Sequence, residues 1–315
     1  MMNIVFCETD SLGDDIDLAR FDALGNTTYY NLLPYDQLSG KLADADIVII
    51  NKAPMNAETL GNAPNVKLVC VTATGTNILD KEYLDSRGIK WTNVAGYATE
   101  IVTQHTFAML FYLLEKLPYY DNYVKSGAYE KSSLFTCLDK PFTELKGKTW
   151  GIIGLGTIGR RVADVARAFG CRVIYYSASG AAPQAGYEQV DFDTILTQSD
   201  VLSVHAPLNE YTENLMDIEA FKKMKPSAIF INVGRGPIVV EQDLADALIT
   251  GEIAAAGLDV LCKEPADPGN PLLGIKDSGK LIITPHIAWA SREARVHLMD
   301  MVYDQVKEFV EAASR

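Results

Sequence analysis

Short apolar runs alternate with helical patterns along the whole chain. Residues 3–7, Ile47–Ile50 and 67–72 are rich in Val or Ile, and polar residues bound each run. Because the runs are continuously apolar and do not alternate, they predict strands covered on both faces, as in a parallel sheet. A second series begins near Lys148; its predicted strands are 149–154, 172–176, 201–205, 228–233, 254–259 and 281–284. Repeated βαβ units of this kind predict an α/β fold.

The two strand series are separated by a helix and a segment without a clear period. Residues 101–117 predict a buried apolar helix, and the pattern of strands breaks just before it, near 93–100. Residues 118–145 are polar and dotted with aromatic side chains, and they are too many for a tight connection. We therefore expect an arm that packs on another domain or subunit. The last predicted helix, 291–312, carries one apolar stripe.

Composition narrows the class of protein. A length of 315 residues suggests about two domains. The fractions of apolar (48%) and charged (22%) residues are ordinary for a globular protein. The net charge of −13, from 41 acidic and 28 basic residues, disfavours a nucleic-acid partner. The longest wholly apolar run, residues 107–114, is too short to cross a bilayer, so we expect no membrane partner.

The cysteines and histidines exclude two further classes of site. Five cysteines without a CxxC pair make a disulfide framework improbable and fit a reducing compartment. The first ten residues contain no basic segment typical of a signal peptide. We expect a cytoplasmic protein. No cluster of His and Cys has the spacing of metal ligands, so no metal site is expected.

A glycine fingerprint, GLGTIG at 154–159, predicts dinucleotide binding. It follows the apolar strand that begins at 149 and opens an amphipathic helix. A GxGxxG between a strand and a helix is typical of dinucleotide-binding domains. Gly154 permits the tight turn, Gly156 lets a pyrophosphate approach the backbone, and Gly159 allows close packing of helix and strand. The predicted cofactor-binding residues of this loop are Gly154, Gly156, Thr157, Ile158 and Gly159.

The residue that normally selects the cofactor is absent. An Asp or Glu is expected about 20 residues after the fingerprint, where it would bind the ribose hydroxyls. Tyr176-Ser177-Ala178-Ser179 occupies that place, and no Arg or Lys that could hold a 2′-phosphate occurs in 176–180. The sequence therefore favours NAD and does not exclude NADP.

Three residues with acid, base or anion-binding chemistry follow predicted strands of the second series. Arg235 lies in the turn NVGRG, and its planar guanidinium suits a carboxylate. Glu264 and His286 follow the next two strands. A carboxylate beside an imidazole favours the protonated ring and determines its tautomer, as a proton donor requires. Ligand sites of open α/β sheets lie at these carboxyl ends, so we predict that the three residues are catalytic.

Several ordered motifs together make the sequence similar to a known family. It resembles the D-isomer-specific 2-hydroxyacid dehydrogenases, most closely the glycerate dehydrogenase/hydroxypyruvate reductase branch. The motifs are ATGTN at 73–77, NVAGYATE at 93–100, GLGTIG at 154–159, NVGRG at 232–236, GLDVLCKEP at 257–265 and TPHIAW at 284–289.

The resemblance implies a fold of two Rossmann-like domains with parallel sheets. One is a discontinuous, flavodoxin-like substrate-binding domain of residues 1–99 and 286–315. The other is an NAD-binding Rossmann domain of residues 100–285. It also implies a homodimer built through the helix near 101–117 and the arm that follows it.

The resemblance further assigns roles to residues. Arg235 would bind the substrate carboxylate and polarise the C2 carbonyl, and His286, paired with Glu264, would be the acid/base. The backbone of Thr74, Gly75 and Thr76 would hold the substrate carboxylate. Asp259 would hold the nicotinamide carboxamide. The remaining cofactor-binding residues would be Ser177, His205, Ala206, Pro207, Val233 and Gly234.

The expected activity is reduction of a small 2-keto acid, hydroxypyruvate or glyoxylate, to the D-2-hydroxy acid with a nicotinamide cofactor. A D-lactate dehydrogenase, or a formate- or phosphite-type relative, is the alternative among enzymes. A protein that senses NAD(H), like the corepressors of the family, is the alternative among binding proteins. A pure sensor would not need Arg235, Glu264 and His286 together.

Overall fold

The two series of apolar strands form two separate parallel sheets in the computed structural model, which describes residues 1–180 and 184–314. Each sheet belongs to its own compact unit. Unit 1 comprises Met1–Ala98 and Trp289–Arg315, and unit 2 comprises Thr99–Ala288.

The second unit boundary differs from the expected one. The expected boundaries, 99/100 and 285/286, compare with 98/99 and 288/289 in the structure. By this division His286 lies in unit 2. The reason is local, because the backbone amides of Ile287 and Ala288 donate to the carboxylate of Asp259 at 2.9 and 2.8 Å.

The sheet of unit 1 has the order β2-β1-β3-β4-β5, with every pair parallel. Its strands are β1 (Asn3–Phe6), β2 (Asn26–Tyr29), β3 (Ile47–Ile50), β4 (Leu68–Val71) and β5 (Lys90–Thr92). This order is the flavodoxin-like one, as expected.

Successive residues of the central strands of unit 1 face opposite cores. Val48 and Ile50 pack with one core, whereas Ile47 and Ile49 pack with the other. The helices of unit 1 are α1 (Leu38–Lys41), α2 (Ala57–Leu60), α3 (Lys81–Ser86) and α10 (Arg292–Ala313). The first three cover one face. On the other face the C-terminal helix α10 buries Leu298 and Val302 among the strand side chains, so the end of the chain completes the core of unit 1.

The sheet of unit 2 has the order β12-β11-β10-β9-β6-β7-β8, again wholly parallel. Its strands are β6 (Thr149–Ile153), β7 (Arg172–Tyr176), β8 (Glu188–Gln189), β9 (Val201–Val204), β10 (Ile229–Asn232), β11 (Ala255–Leu258) and β12 (Leu281–Ile283). The chain leaves β6 in one direction and returns to β9 on its other side, which is the doubly wound Rossmann order.

Helices cover both faces of this second sheet. They are α4 (Thr99–Leu114), α6 (Thr157–Ala168), α7 (Phe192–Gln198), α8 (Ile218–Lys223) and α9 (Glu241–Thr250). A further helix, α5 (Leu117–Lys125), follows α4 and has no buried residue. Phe107 of α4 and Val162 of α6 pack with one core, and Phe221 of α8 and Leu244 of α9 pack with the other. Short 3₁₀ turns occur at Thr9–Leu12, Ala19–Ala23, Tyr35–Gln37, Tyr129–Lys131, Gly236–Ile238 and Pro271–Gly274.

The apolar helix of unit 2 is shorter than its pattern predicts. It ends at Leu114, and Lys116 adopts a left-handed backbone (φ 55°) from which α5 begins. The first part of the expected arm is thus helical. Within residues 1–180 and 184–314, no helix is long and apolar enough to cross a membrane.

Candidate active site

The glycine fingerprint forms a tight turn between β6 and α6. Gly154 has φ 91°, and a Cβ there would lie 2.7 Å from the Ala206 nitrogen, so only glycine fits. A Cβ on Gly159 would overlap the carbonyl oxygen of Gly154. These two close approaches bring the start of α6 against the ends of β6 and β9.

The start of α6 has the donors that a pyrophosphate needs. Gly156 is the N-cap of α6, and no side chain accepts a hydrogen bond from the first turn at that cap. A Cβ on Gly156 would meet no atom within 4 Å, so the backbone is open to a ligand. Thr157 is exposed and Ile158 packs on the core. Uncapped N–H groups and the positive end of the helix suit the phosphates of a dinucleotide.

The end of β7 has no anionic side chain to bind ribose hydroxyls. Ser177 lies there, with its hydroxyl 3.3 Å from that of Ser179. Both are neutral hydroxyls that can donate and accept. Neither a carboxylate nor a cation lies in residues 176–180. The preference for NAD over NADP therefore rests on the same residues as in the sequence analysis.

His205 follows β9 and belongs to a short chain of hydrogen bonds. The indole of Trp150 donates to Ser203 Oγ at 2.8 Å, and Ser203 Oγ lies 3.0 Å from Nε2 of His205. Burial lowers the pKa of His205 to about 3, so the ring is neutral near pH 7. Nδ1 is buried and has no partner among the described residues. Ala206 and Pro207 continue the chain, and Ala206 forms the wall against Gly154.

The turn after β10 is held by its own side chains. Asn232 accepts from the amide of Gly234 at 3.0 Å and donates to the carbonyl of Arg235 at 2.9 Å. A Cβ on Gly236 would overlap the carbonyl of Leu261, so this turn packs directly on the segment that leads to Glu264. Val233 packs on the core beside the turn. Arg235 therefore stands on a rigid turn, and its guanidinium also donates to the carbonyl of Gly234 at 2.7 Å.

Glu264 and His286 are in direct contact. Nδ1 of His286 lies 2.7 Å from Oε2 of Glu264, and Oε1 accepts from the amide of Leu261 at 3.0 Å. The side chains are 24% and 32% exposed, so water still reaches the pair. The contact involves Nδ1, which leaves Nε2 as the ring nitrogen for a reacting group. Because the residues follow β11 and β12, which are adjacent to β10, the three catalytic candidates lie along one edge of the sheet.

Asp259 is buried next to the loop that contains His286, and its carboxylate has hydrogen-bond partners that the sequence did not indicate. It is 1% exposed and accepts hydrogen bonds from Thr284 Oγ1 and from two amides of the loop after His286. His105 of α4 joins this cluster, with Nε2 3.0 Å from Thr284 Oγ1. No role was predicted from the sequence for His105, which lies in the apolar helix α4. Its polar ring inside that helix was the one available signal.

The predicted substrate loop lies in unit 1, after β4. Thr74 donates to the carbonyl of Val94 at 2.9 Å, and its own carbonyl accepts from Asn93 at 2.7 Å. The carbonyl of Thr76 accepts from the amide of Leu79 at 3.1 Å. The turn containing Gly75 is thus held at both ends. Elsewhere, no group of three or more His, Cys, Asp or Glu residues in the described part of the chain could hold a metal ion.

The sequence model of the family "D-isomer specific 2-hydroxyacid dehydrogenase, NAD binding domain" matches residues 107–288. That is more than half of the chain and nearly all of unit 2. The chain belongs to this family of dehydrogenases.

Individual relatives agree with the family assignment. The chain is 39% identical over 304 residues to a hydroxypyruvate reductase of Blautia hydrogenotrophica, covering 95% of this chain and 94% of the relative. It is 42% identical over 275 residues to a glycerate dehydrogenase of Methylorubrum extorquens, covering 87% and 86%. Among solved structures, a D-lactate dehydrogenase from Aquifex aeolicus complexed with NAD and lactic acid superimposes with a TM-score of 0.86 at 26% identity, over 98% and 96% of the two chains.

These comparisons confirm the family, the two-sheet fold and the nicotinamide cofactor expected from the sequence. The dehydrogenase is an NAD-binding oxidoreductase, as predicted. Three expectations stay predictions: the roles of individual residues, the assignment of substrate binding and cofactor binding to the two units, and the homodimer.

Proposed function

We propose that this dehydrogenase reduces hydroxypyruvate or glyoxylate to the D-2-hydroxy acid, with His286 as the acid/base. The observation that carries the proposal is the 2.7 Å contact between His286 Nδ1 and Glu264 Oε2. The carboxylate orients the imidazole for proton donation, in the same unit as the dinucleotide-binding loop. The names of the hydroxypyruvate reductase and glycerate dehydrogenase relatives support the substrate class.

The proton of the reaction comes from His286. Glu264 accepts a hydrogen bond from Nδ1–H of His286, so the protonated ring presents its Nε2–H to the substrate. NADH, when bound, supplies the hydride to C2 of the 2-keto acid. The Nε2 proton goes to the C2 oxygen, which becomes the hydroxyl, and the ring is left neutral, with its remaining proton on Nδ1 and hydrogen-bonded to Glu264. The reverse reaction needs the neutral ring as the base.

Arg235 binds the substrate carboxylate and polarises the C2 carbonyl in this proposal. Its planar fork matches both oxygens of a carboxylate in one bidentate geometry, which the compact ammonium of a lysine does not offer. Within unit 1, the backbone amides of Thr74, Gly75 and Thr76 are proposed as donors to a carboxylate, since consecutive N–H groups of a turn form an anion-binding concavity.

A panel of 2-keto acids tests the proposal. Hydroxypyruvate, glyoxylate and pyruvate would each be assayed by NADH consumption, with NADPH in parallel. We expect the highest kcat/KM with hydroxypyruvate or glyoxylate. Preference for pyruvate would assign the D-lactate dehydrogenase alternative, and binding of NADH without turnover of any acid would assign the sensor.

We also propose a homodimer formed through the arm. Large apolar side chains of the arm face solvent in the single chain, above all Phe135 at 90% exposure. The others are Leu134, Leu138 and Phe142. A cluster of this kind is typical of a surface that is covered in an assembly. Light scattering of the wild type and of Phe135→Glu tests it: we expect a dimer and a monomer, and a monomeric wild type would contradict the proposal.

A cytoplasmic location is proposed on the cysteines. All five are free thiols, and Cys7, Cys70 and Cys171 are buried. Unpaired thiols fit a reducing compartment. Fractionation of cells that express the tagged chain would test the location.

A further inference from the structure

A buried carboxylate holds the loop that carries His286. Oδ1 of Asp259 accepts from the amide of Ile287 at 2.9 Å, and Oδ2 accepts from the amide of Ala288 at 2.8 Å. The carbonyl of Asp259 accepts from the amide of His286 itself at 2.8 Å. One residue thus binds three consecutive amides of the loop.

The loop needs this support because His286 has an unfavourable backbone. Its φ is 56°, in the left-handed region that residues with a Cβ usually avoid. Such a conformation persists only where the surroundings over-determine it. Loss of one support would allow the backbone to relax, and the imidazole would move relative to Glu264.

His105 lies at the far end of this network. Its Nε2 is 3.0 Å from Thr284 Oγ1 and 3.5 Å from Asp259 Oδ1, and its side chain is 17% exposed. Thr284 Oγ1 donates to Asp259 Oδ1 at 2.6 Å. Because a threonine hydroxyl has only one proton, and that proton goes to Asp259, Thr284 must accept from His105. Nε2 of His105 therefore carries a proton and points at the Thr284–Asp259 pair.

We propose that His105 is a positioning residue for the acid/base step. Its Nε2–H orients the Thr284 hydroxyl, which keeps the Asp259 carboxylate in the rotamer that binds the loop amides. The imidazole of His286 is thereby held on Glu264. This inference rests on the proposed function, because it takes His286 as the proton donor. A histidine that only filled the core would contribute to stability without affecting the place of His286.

Kinetics of three variants test the proposal. His105→Leu removes the donor and keeps the bulk, whereas His105→Gln keeps an N–H donor at a similar reach. The control is His297→Leu, because His297 is exposed on α10. We expect His105→Leu to lower kcat about tenfold, with KM for hydroxypyruvate changed less than about twofold. His105→Gln should regain most of kcat, and His297→Leu should match the wild type.

A second measurement follows the position of His286 without turnover. The chain has four histidines, so the imidazole NMR signals of the apoprotein can be separated, and His286→Ala assigns the signal of His286. That signal should shift in His105→Leu and stay in His297→Leu. Thr284→Val breaks the same link from the other side and should shift it as well, which tests the network should His105→Leu fail to fold.

The outcomes separate the two proposals. A wild-type kcat in His105→Leu, an unmoved His286 signal in Thr284→Val, or a His105→Gln variant as slow as His105→Leu would each overturn the positioning role. Full turnover by His286→Ala would overturn the proposed function instead. In that case the NMR shift would still report whether His105 holds the loop.

Discussion

Replacing Glu264 by Gln removes the negative charge beside His286 and keeps the shape of the side chain. In the wild type, Oε1 accepts from the Leu261 amide at 3.0 Å and Oε2 meets Nδ1 of His286 at 2.7 Å. The amide oxygen of the Glu264→Gln variant must stay on Leu261, because an –NH₂ there would face another donor. The –NH₂ group then faces Nδ1 and can bond only to an unprotonated nitrogen, so the protonated ring loses its partner.

The size of the effect follows from the geometry. A hydrogen bond between charged groups contributes about 1.5–3 kcal/mol. With side chains 24% and 32% exposed, water screens part of the interaction, and we take the lower half of that range, about 1.5–2 kcal/mol. At about 1.4 kcal/mol per factor of ten, reduction at neutral pH should slow about 10- to 30-fold.

The assay is kcat/KM for hydroxypyruvate reduction at neutral pH. We expect Glu264→Gln to fall below the wild type by the factor given above. Glu241→Gln is the matched control, because Glu241 accepts from Cys262 and Asn270 in the same region without contacting His286. A Glu264→Gln variant no slower than Glu241→Gln would refute the reasoning and make Glu264 a structural residue.

Three further predictions concern the remaining site. Arg235→Ala should raise KM and lower kcat together, at a cost of about 3–5 kcal/mol in transition-state stabilisation, and Arg235→Lys should restore little; a lysine variant with near-wild-type kinetics would refute the role. NADH should give a higher kcat/KM than NADPH, because no cation for a 2′-phosphate occurs in 176–180; equal efficiencies would contradict this. Burial lowers the pKa of His205 to about 3 from 6.5. Below pH 6.5 the unfolded chain therefore binds a proton at His205 that the folded chain does not bind, and the free energy of unfolding falls as the pH drops. Between pH 6.5 and 5 the loss is about 1.5 kcal/mol, and urea unfolding of His205→Gln should lack it while exposed His297→Gln retains it.

The sequence alone predicted the interior strands. Ile47–Ile50 and Arg172–Tyr176 coincide with their predicted ranges, and other central strands differ at their ends. Such strands are covered on both faces, so burial requires a continuous apolar run that can be read without the structure. The glycine fingerprint could also be recognised in the sequence, because its turn requires residues without a Cβ.

Three of the four strands at the sheet edges escaped prediction; the fourth, the apolar β12 (Leu281–Ile283), was predicted. β2 (Asn26–Tyr29), β5 (Lys90–Thr92) and β8 (Glu188–Gln189) are each the last strand of a sheet. They bond to a neighbour on one side only and are partly exposed, so polar residues are tolerated. Their strand conformation comes from pairing with β1, β4 and β7, and local composition does not encode that pairing.

The residues of the candidate site could be predicted from the sequence, but their hydrogen-bond partners could not. Arg235, Glu264 and His286 each stand after a predicted strand, and their chemistry follows from the side chain. The role of His105 depends on a contact with Thr284, 179 residues away in the chain. A side chain determines which hydrogen bonds are possible, but only the packing of α4 beside β12 decides which atoms come within reach of them.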